Sequence, residues 1–414
     1  MNAWENEFEN AVKLWADRER LAKSMYVADA SKASALMQLE TSYEEIARHL
    51  ATGVGDNAAV LQAAINSKGA RGEVACHVVL YSGDSDMDSI LLQKMGEKDG
   101  NAHWNVEPAL RVCDVDTIKR FGHKALALQK PWIHDALSSV VAKNMLNELA
   151  SYYRVDALIS NPSTYTISML GYVGDSSYTS ALKTLMNDED VSSYFRIECA
   201  KSLLLMGDDS GLDFYKFALS ERMEDGTLAY LIGRYGNPGD VVHFLLNEAK
   251  EQSDDEDDVA GILKGLGFTG DIRAIDGLKP FLADESEEVR AAASTAISEI
   301  TGEWNVDQYA DVDELASFWD QWLAENIAKF DAATRYQRGV AFDLKTLANK
   351  MMNADRESRV ITHEHLMMFS GLHLPYDEKR YYADQLTQVE LWKNELATQI
   401  SVGAGQWVRN GRVL

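Results

Sequence analysis

The chain is expected to be all-α: an α-solenoid of stacked helical pairs, with a helical cap before it and a helical extension after it. Three observations predict this. Glycines recur as helix stops at 174, 207, 236, 270 and 302, in steps of 33, 29, 34 and 32 residues, and such a period marks repeated helical units. Only 6 prolines and no series of β-hairpin signals argue for helix almost throughout. The 46% hydrophobic content of the 414 residues supplies a continuous core.

Residues 1–50 read as two charged helices. Phe8, Val12, Trp15 and Leu21 form one stripe; Leu36, Leu39, Tyr43, Ile46 and Leu50 form another. A terminal unit needs a polar outer face, so they read as a cap, with a partner-binding arm as the rival. Residues 56–150 look like eroded repeats, with a Gly83-Asp84 stop and Pro131 in the first turn of a helix, where proline is tolerated.

The clear array runs from 151 to 302. Each unit ends a helix at Gly, which accepts the left-handed backbone, and Asp, Asn or Ser then caps the next helix. In the last unit Ile275, Leu278 and Leu282 share a face. Ser286-Glu287-Glu288 opens the second helix, its acids placed as the helix dipole favours. Ala291 to Ala293, Ala296, Ile297 and Ile300 give a small-residue face for close packing. The one interruption is Glu251 to Asp258, six acids in eight residues. Such a block reads first as a solvated loop that repels itself, and second as a contact for a basic partner.

Residues 303–414 leave the repeat. Trp304, Phe318, Trp319, Trp322 and Phe330 are expected to seal the last unit, because aromatics bury a large area; an exposed recognition patch is the alternative. Helices follow at 342–352, 360–369 and 381–400, and residues 403–414 read as a frayed tail.

The net charge is −25. That disfavours nucleic acid and anionic membrane as partners and suits a basic protein. Residues 331–414 hold 11 Lys/Arg and 10 Asp/Glu, so residues 1–330 carry a net −26, which hints at a separate C-terminal module. Cys76, Cys113 and Cys199 lie in apolar patterns and read as buried, reduced thiols. The stretch from Met1 to Glu5 shows no secretory signal, and no apolar run is long enough to span a bilayer; the cytoplasm is the expected compartment.

The unit 270–302 resembles HEAT repeats. It matches A-D-x-x-x-x-V-R-x-x-A at Ala283-Asp284, Val289-Arg290 and Ala293, while Arg196 and Ala200 retain a fragment of it. The wider order of features resembles a bacterial HEAT-repeat family associated with type VI secretion gene clusters. The shared features are Glu44-Glu45-Ile46-Ala47-Arg48-His49-Leu50, the closing Ile300-Thr301-Gly302, the tryptophan-rich Phe318 to Trp322, and Phe330 to Gly339 with Arg335 and Tyr336. The likeness covers about residues 40–350. It implies a setting of interbacterial competition and supplies no catalytic residues.

Sequence chemistry adds little. Thr362-His363-Glu364-His365 with His373 lacks the metalloprotease spacing, and these read as polar histidines on a helix surface. Gly53-Val54-Gly55-Asp56 is a turn rather than a dinucleotide site. No P-loop and no Gly-x-Ser-x-Gly occurs. The expectation is a non-catalytic binding protein without cofactor or metal, with three domains: a cap at 1–50, HEAT-like repeats at 51–302, and a linker helix with a helical module at 303–414. It is expected to be an immunity protein that occludes a secreted effector toxin with a basic surface. An adaptor that loads such an effector is the first alternative, and a HEAT-type enzyme or cofactor-attachment lyase the second. The contact is placed on Asp254, Asp255, Glu256, Asp257, Asp258, Glu285, Glu287 and Glu288.

Overall fold

A computed structural model describes residues 2–24, 30–223, 227–307 and 311–414. Met1, where the stretch read for a leader begins, lies outside them. The architecture is all-α, with 23 α-helices and two short β-hairpins among the described residues. No described helix is long and apolar enough to cross a membrane. The chain packs as two compact units. The first holds Met1–Ala181, Ala348–His365 and His373–Asn394; the second holds Leu182–Leu347, Leu366–Leu372 and Glu395–Leu414. Residues 303–414 are thus divided between the units.

In the first unit the cap helices Ala3–Lys23 and Ala30–Ala51 pack on each other and on Ala70–Ser82. Asn2 and Glu5 close a reciprocal capping box, which satisfies two otherwise unpaired donors. The buried stripe of the second cap helix is Ala33, Leu36, Glu40, Tyr43, Ala47 and Leu50, one carboxylate among apolar groups. Glu40 belongs there because buried Arg18 donates to it at 3.1 Å. Beyond the cap, Ala70–Ser82, Ala102–Arg111, Pro131–Lys143 and Thr164–Val173 pack in succession.

The expected stops work as stops. Gly83 and Gly174 end helices in the left-handed conformation. Asp84 and Asp175 then accept backbone N–H bonds at the next helix start, and Pro131 occupies a first helical turn.

In the second unit the helices Thr227–Tyr235, Glu256–Gly267 and Glu287–Thr301 lie backbone to backbone. A Cβ on Gly233 would stand 2.1 Å from the Gly265 carbonyl oxygen, and one on Gly267 would stand 2.8 Å from the Ala296 Cα. Small residues make this approach possible. Gly207, Gly270 and Gly302 have positive φ. Gly236 does not: its lost Cβ leaves room for Val241, whose Cγ2 would otherwise be 2.0 Å away. The aromatic helix Val312–Asn326 packs on the array through Trp319, which is fully buried with its Nε1 donating to Ser294 Oγ at 2.9 Å; of the other aromatics expected to seal the unit, Phe318, Trp322 and Phe330 are half-buried and Trp304 is exposed.

The expected frayed tail is corrected. Val408–Arg409 and Arg412–Val413 form a hairpin around Asn410-Gly411, as Tyr336–Gln337 and Val340–Ala341 do around Arg338-Gly339. All four turn residues have φ between 50° and 77°, as a tight two-residue hairpin turn requires. Both turns cap a helix in the same way. Arg338 N and Gly339 N donate to the Glu299 and Ile300 carbonyls, and Asn410 N and Gly411 N donate to those of Met368 and Phe369. Each helix thereby gains partners for carbonyls that have none of their own. Trp407 is buried, its Nε1 on the Thr269 carbonyl at 3.0 Å.

Candidate functional site

The acidic face of the second unit is built by three helix ends. Pro238–Glu251, capped by Asn237, stops at buried Gln252. The Gln252 amide donates to the Leu219 carbonyl and to Glu248, both at 3.0 Å. The next helix begins at Glu256, so the acidic block is not a loop throughout. Glu256, Asp257 and Asp258 form a first helical turn, where the dipole favours carboxylates.

The eight expected residues divide by their partners. Asp254 pairs with Arg222 at 2.5 Å, and that guanidinium's hydrogen bond holds its carboxyl below the usual range. Asp255 caps the helix, accepting from the N–H groups of Asp257 and Asp258. Glu256 accepts from Ser286 Oγ at 2.7 Å. That last bond brings the two acidic segments together, because Ser286 is also the cap of Glu287–Thr301. Asp257, Glu285, Glu287 and Glu288 are exposed, and Asp258 is half-buried. The turn before them is closed by Arg290, whose Nη1 donates to the Asp284 and Glu285 carbonyls. This is the structural use of the Val289-Arg290 pair.

Glu287 and Glu288 line a cleft of about 260 Å³ with Lys264, Ala291, Ala292 and Thr295. Its lining is three small side chains, two carboxylates and the single ammonium of Lys264. The arrangement fits a cationic side chain or a basic surface, since exposed acids accept ion pairs without a large desolvation cost.

The other candidates resolve differently. His363 and His365 are buried, which corrects their reading as surface residues. Burial pushes the His363 ring down to about 3, and the ring bonds the Leu374 carbonyl at 2.9 Å. His373 bonds the Tyr172 carbonyl at 2.7 Å. Among the described residues no cluster is placed to hold a metal. Cys76, Cys113 and Cys199 are buried and free of disulfides. In a pocket of about 220 Å³, Ser163 donates to Asp135 at 2.5 Å while His134 reaches the Leu126 carbonyl. These three side chains are not linked as a nucleophile relay.

Sequence reasoning missed a buried ionic cluster in the first unit. Arg111 reaches Asp377 through Nε at 2.9 Å and Nη2 at 2.5 Å, and Glu378 at 2.9 Å. Lys143 Nζ stands 3.7 Å from Glu378. Burial alone would raise the Glu378 carboxyl, but Arg111 and Lys143 outweigh it and hold the group well below its ordinary value. The signal was the run Asp377-Glu378-Lys379-Arg380, which composition could not join to a guanidinium far earlier in the chain.

Comparison of the sequence with known family models and with curated proteins found no match.

Proposed function

We propose that the chain is a protein-binding solenoid that takes a basic partner on the acidic face of its second unit. The partner we infer is a secreted effector toxin of the type VI kind, bound in the cytoplasm and held inert by occlusion. The observation that carries the reading is the Glu256–Ser286 bond, which sets two acidic helix starts side by side over a small-residue cleft. Repeat arrays offer broad faces to protein ligands, and carboxylates at the rim speed encounter with a basic surface. The association with type VI secretion rests on the resemblance of residues 40–350 and on nothing in the geometry.

The test is co-expression with the product of the adjacent gene. Immunity requires a stable complex and rescue of growth when that product is toxic. Growth arrest despite the chain, with no complex recovered, ends the proposal. A complex that forms without protecting the cell supports loading of the effector instead.

A further inference from the structure

The first unit contains a cleft of about 660 Å³, within the size range of small-molecule sites. Its ionisable lining is five basic groups, Arg18, Arg20, Lys23, Arg356 and Lys379, against three carboxylates, Glu19, Glu73 and Glu107. A local excess of positive charge in a chain of net −25 runs against the composition.

Not every cation there is available. Arg18 is occupied: Nε on Glu40 at 3.1 Å, Nη2 on the Lys379 and Arg380 carbonyls at 2.7 and 2.8 Å. Arg356 is not. Its Nη1 donates to Glu19 at 3.3 Å, and its Nη2, shielded from water, has no acceptor. A buried donor without an acceptor costs stability, and a small shift of the guanidinium toward an incoming oxygen removes that cost. Lys379 Nζ lies 3.7 Å from Glu107, too far for a hydrogen bond. Trp104, on the cleft wall, is 48% exposed. Its ring rests against Tyr165 at 6.2 Å between centroids, and its remaining surface is open. Trp15, buried, closes the wall by donating to Glu73 at 2.5 Å.

We propose that this cleft binds a monocarboxylate carried on an aromatic body, with the carboxylate on Arg356 and Lys379 and the ring against Trp104. A guanidinium fork matches a carboxylate in geometry. The three lining glutamates disfavour a phosphate or other dianion, because like charges at close range repel in a partly desolvated site. A free aromatic acid and the C-terminal aromatic residue of a peptide share this chemistry. The proposal is independent of the acidic face, which belongs to the other unit.

Calorimetric titration of the full chain decides it. The probes are 3-phenylpropionate and N-acetyl-Gly-Gly-Phe with a free C-terminus, each against its own carboxamide. The expected result is saturable 1:1 binding of at least one acid, with its amide weaker by roughly tenfold or more, as loss of a charged hydrogen bond implies. The tighter of the two acids identifies the source. Arg356→Gln and Trp104→Ala should each weaken binding about tenfold, while Glu287→Gln leaves it unchanged. Trp104→Ala guards against misfolding, since that ring is half exposed, and unfolding curves of both variants are taken alongside. Equal binding of acid and amide, no saturable binding of either acid, or affinity unaffected by both variants overturns the proposal.

Discussion

The two units place their charged groups differently. In the first, carboxylates are buried and matched: Asp377 and Glu378 on Arg111, Glu40 on Arg18, and Asp88 on Arg120 and Lys124. In the second, the residue most like Arg111 has no carboxylate. Arg335 is 3% exposed, donates to the Arg234 and Phe268 carbonyls, and stacks on Phe342 and Phe369. Burial, with Arg234 beside it, pushes its guanidinium down to about 9. The second unit buries Asp271 on Arg273 and Glu299 on Arg338, and it also keeps Asp257, Glu285, Glu287 and Glu288 at its surface. Acids used internally hold a fold together, and acids left outside remain available to a partner.

That contrast makes Arg111 the most damaging site to change. Arg111→Met strands Asp377 and Glu378 in the interior, and breaking a buried ion cluster in this way costs about 3–5 kcal/mol. Urea unfolding of the single variant measures it. Adding Asp377→Asn and Glu378→Gln should recover a large part, and a single variant as stable as the parent would deny the cluster its role. In the second unit the matching change is Gly302→Ala. A Cβ there would lie 2.5 Å from the Arg338 carbonyl oxygen, at a φ of 78°. The expected loss is roughly 2 kcal/mol, read as a lower denaturation midpoint; an unchanged midpoint would mean that the hairpin does not sit on the helix stop.

Acid should separate the units. Eight of the nine histidines lie in the first unit, and burial holds His77 and His363 down to about 3. Unfolded histidine titrates near 6.5, so between these values the unfolded chain binds more protons. The stability contributed by the neutral folded rings is complete above about 6.5 and is lost as pH falls toward 3, at up to about 1.4 kcal/mol per pH unit for each ring. Glu378, also depressed, adds to the loss only below the ordinary carboxylate value of about 4.3. Hydrogen exchange from pH 7 to pH 4 should show the first unit losing protection before the second; simultaneous loss would contradict the assignment. The smallest effect is at Asp254. Asp254→Ser removes an exposed pair with Arg222 and should leave the melting temperature unchanged, while slowing encounter with a basic partner.

The repeat was legible because most of its stops are local chemistry: a glycine that turns left-handed, as all the marker glycines but Gly236 do, and an acid or amide beside the start of the next helix. The Ser286 cap, the packing face from Ala291 to Ile300 and the sealing Trp319 could be read for the same reason. Asn410-Gly411 carries a recognisable hairpin signal, but it falls in a stretch without helical period and so reads as tail. Arg338-Gly339 stands out only as part of a resemblance. The acids of the candidate face are visible as composition, whereas the Glu256–Ser286 bond that joins them depends on neighbouring repeats lying in register. The partners of Arg111 and Arg18 could not be read, since pairing across hundreds of residues leaves no periodic trace.

The measurement closest to the central claim is the association rate of the proposed basic partner with the parent chain and with a Glu285→Gln, Glu287→Gln, Glu288→Gln variant, measured across ionic strength. A surface that steers a basic partner predicts a slower rate for the variant and a shallower dependence on salt, with an unaltered melting temperature. Identical rates and identical salt dependence would place the contact elsewhere on the molecule.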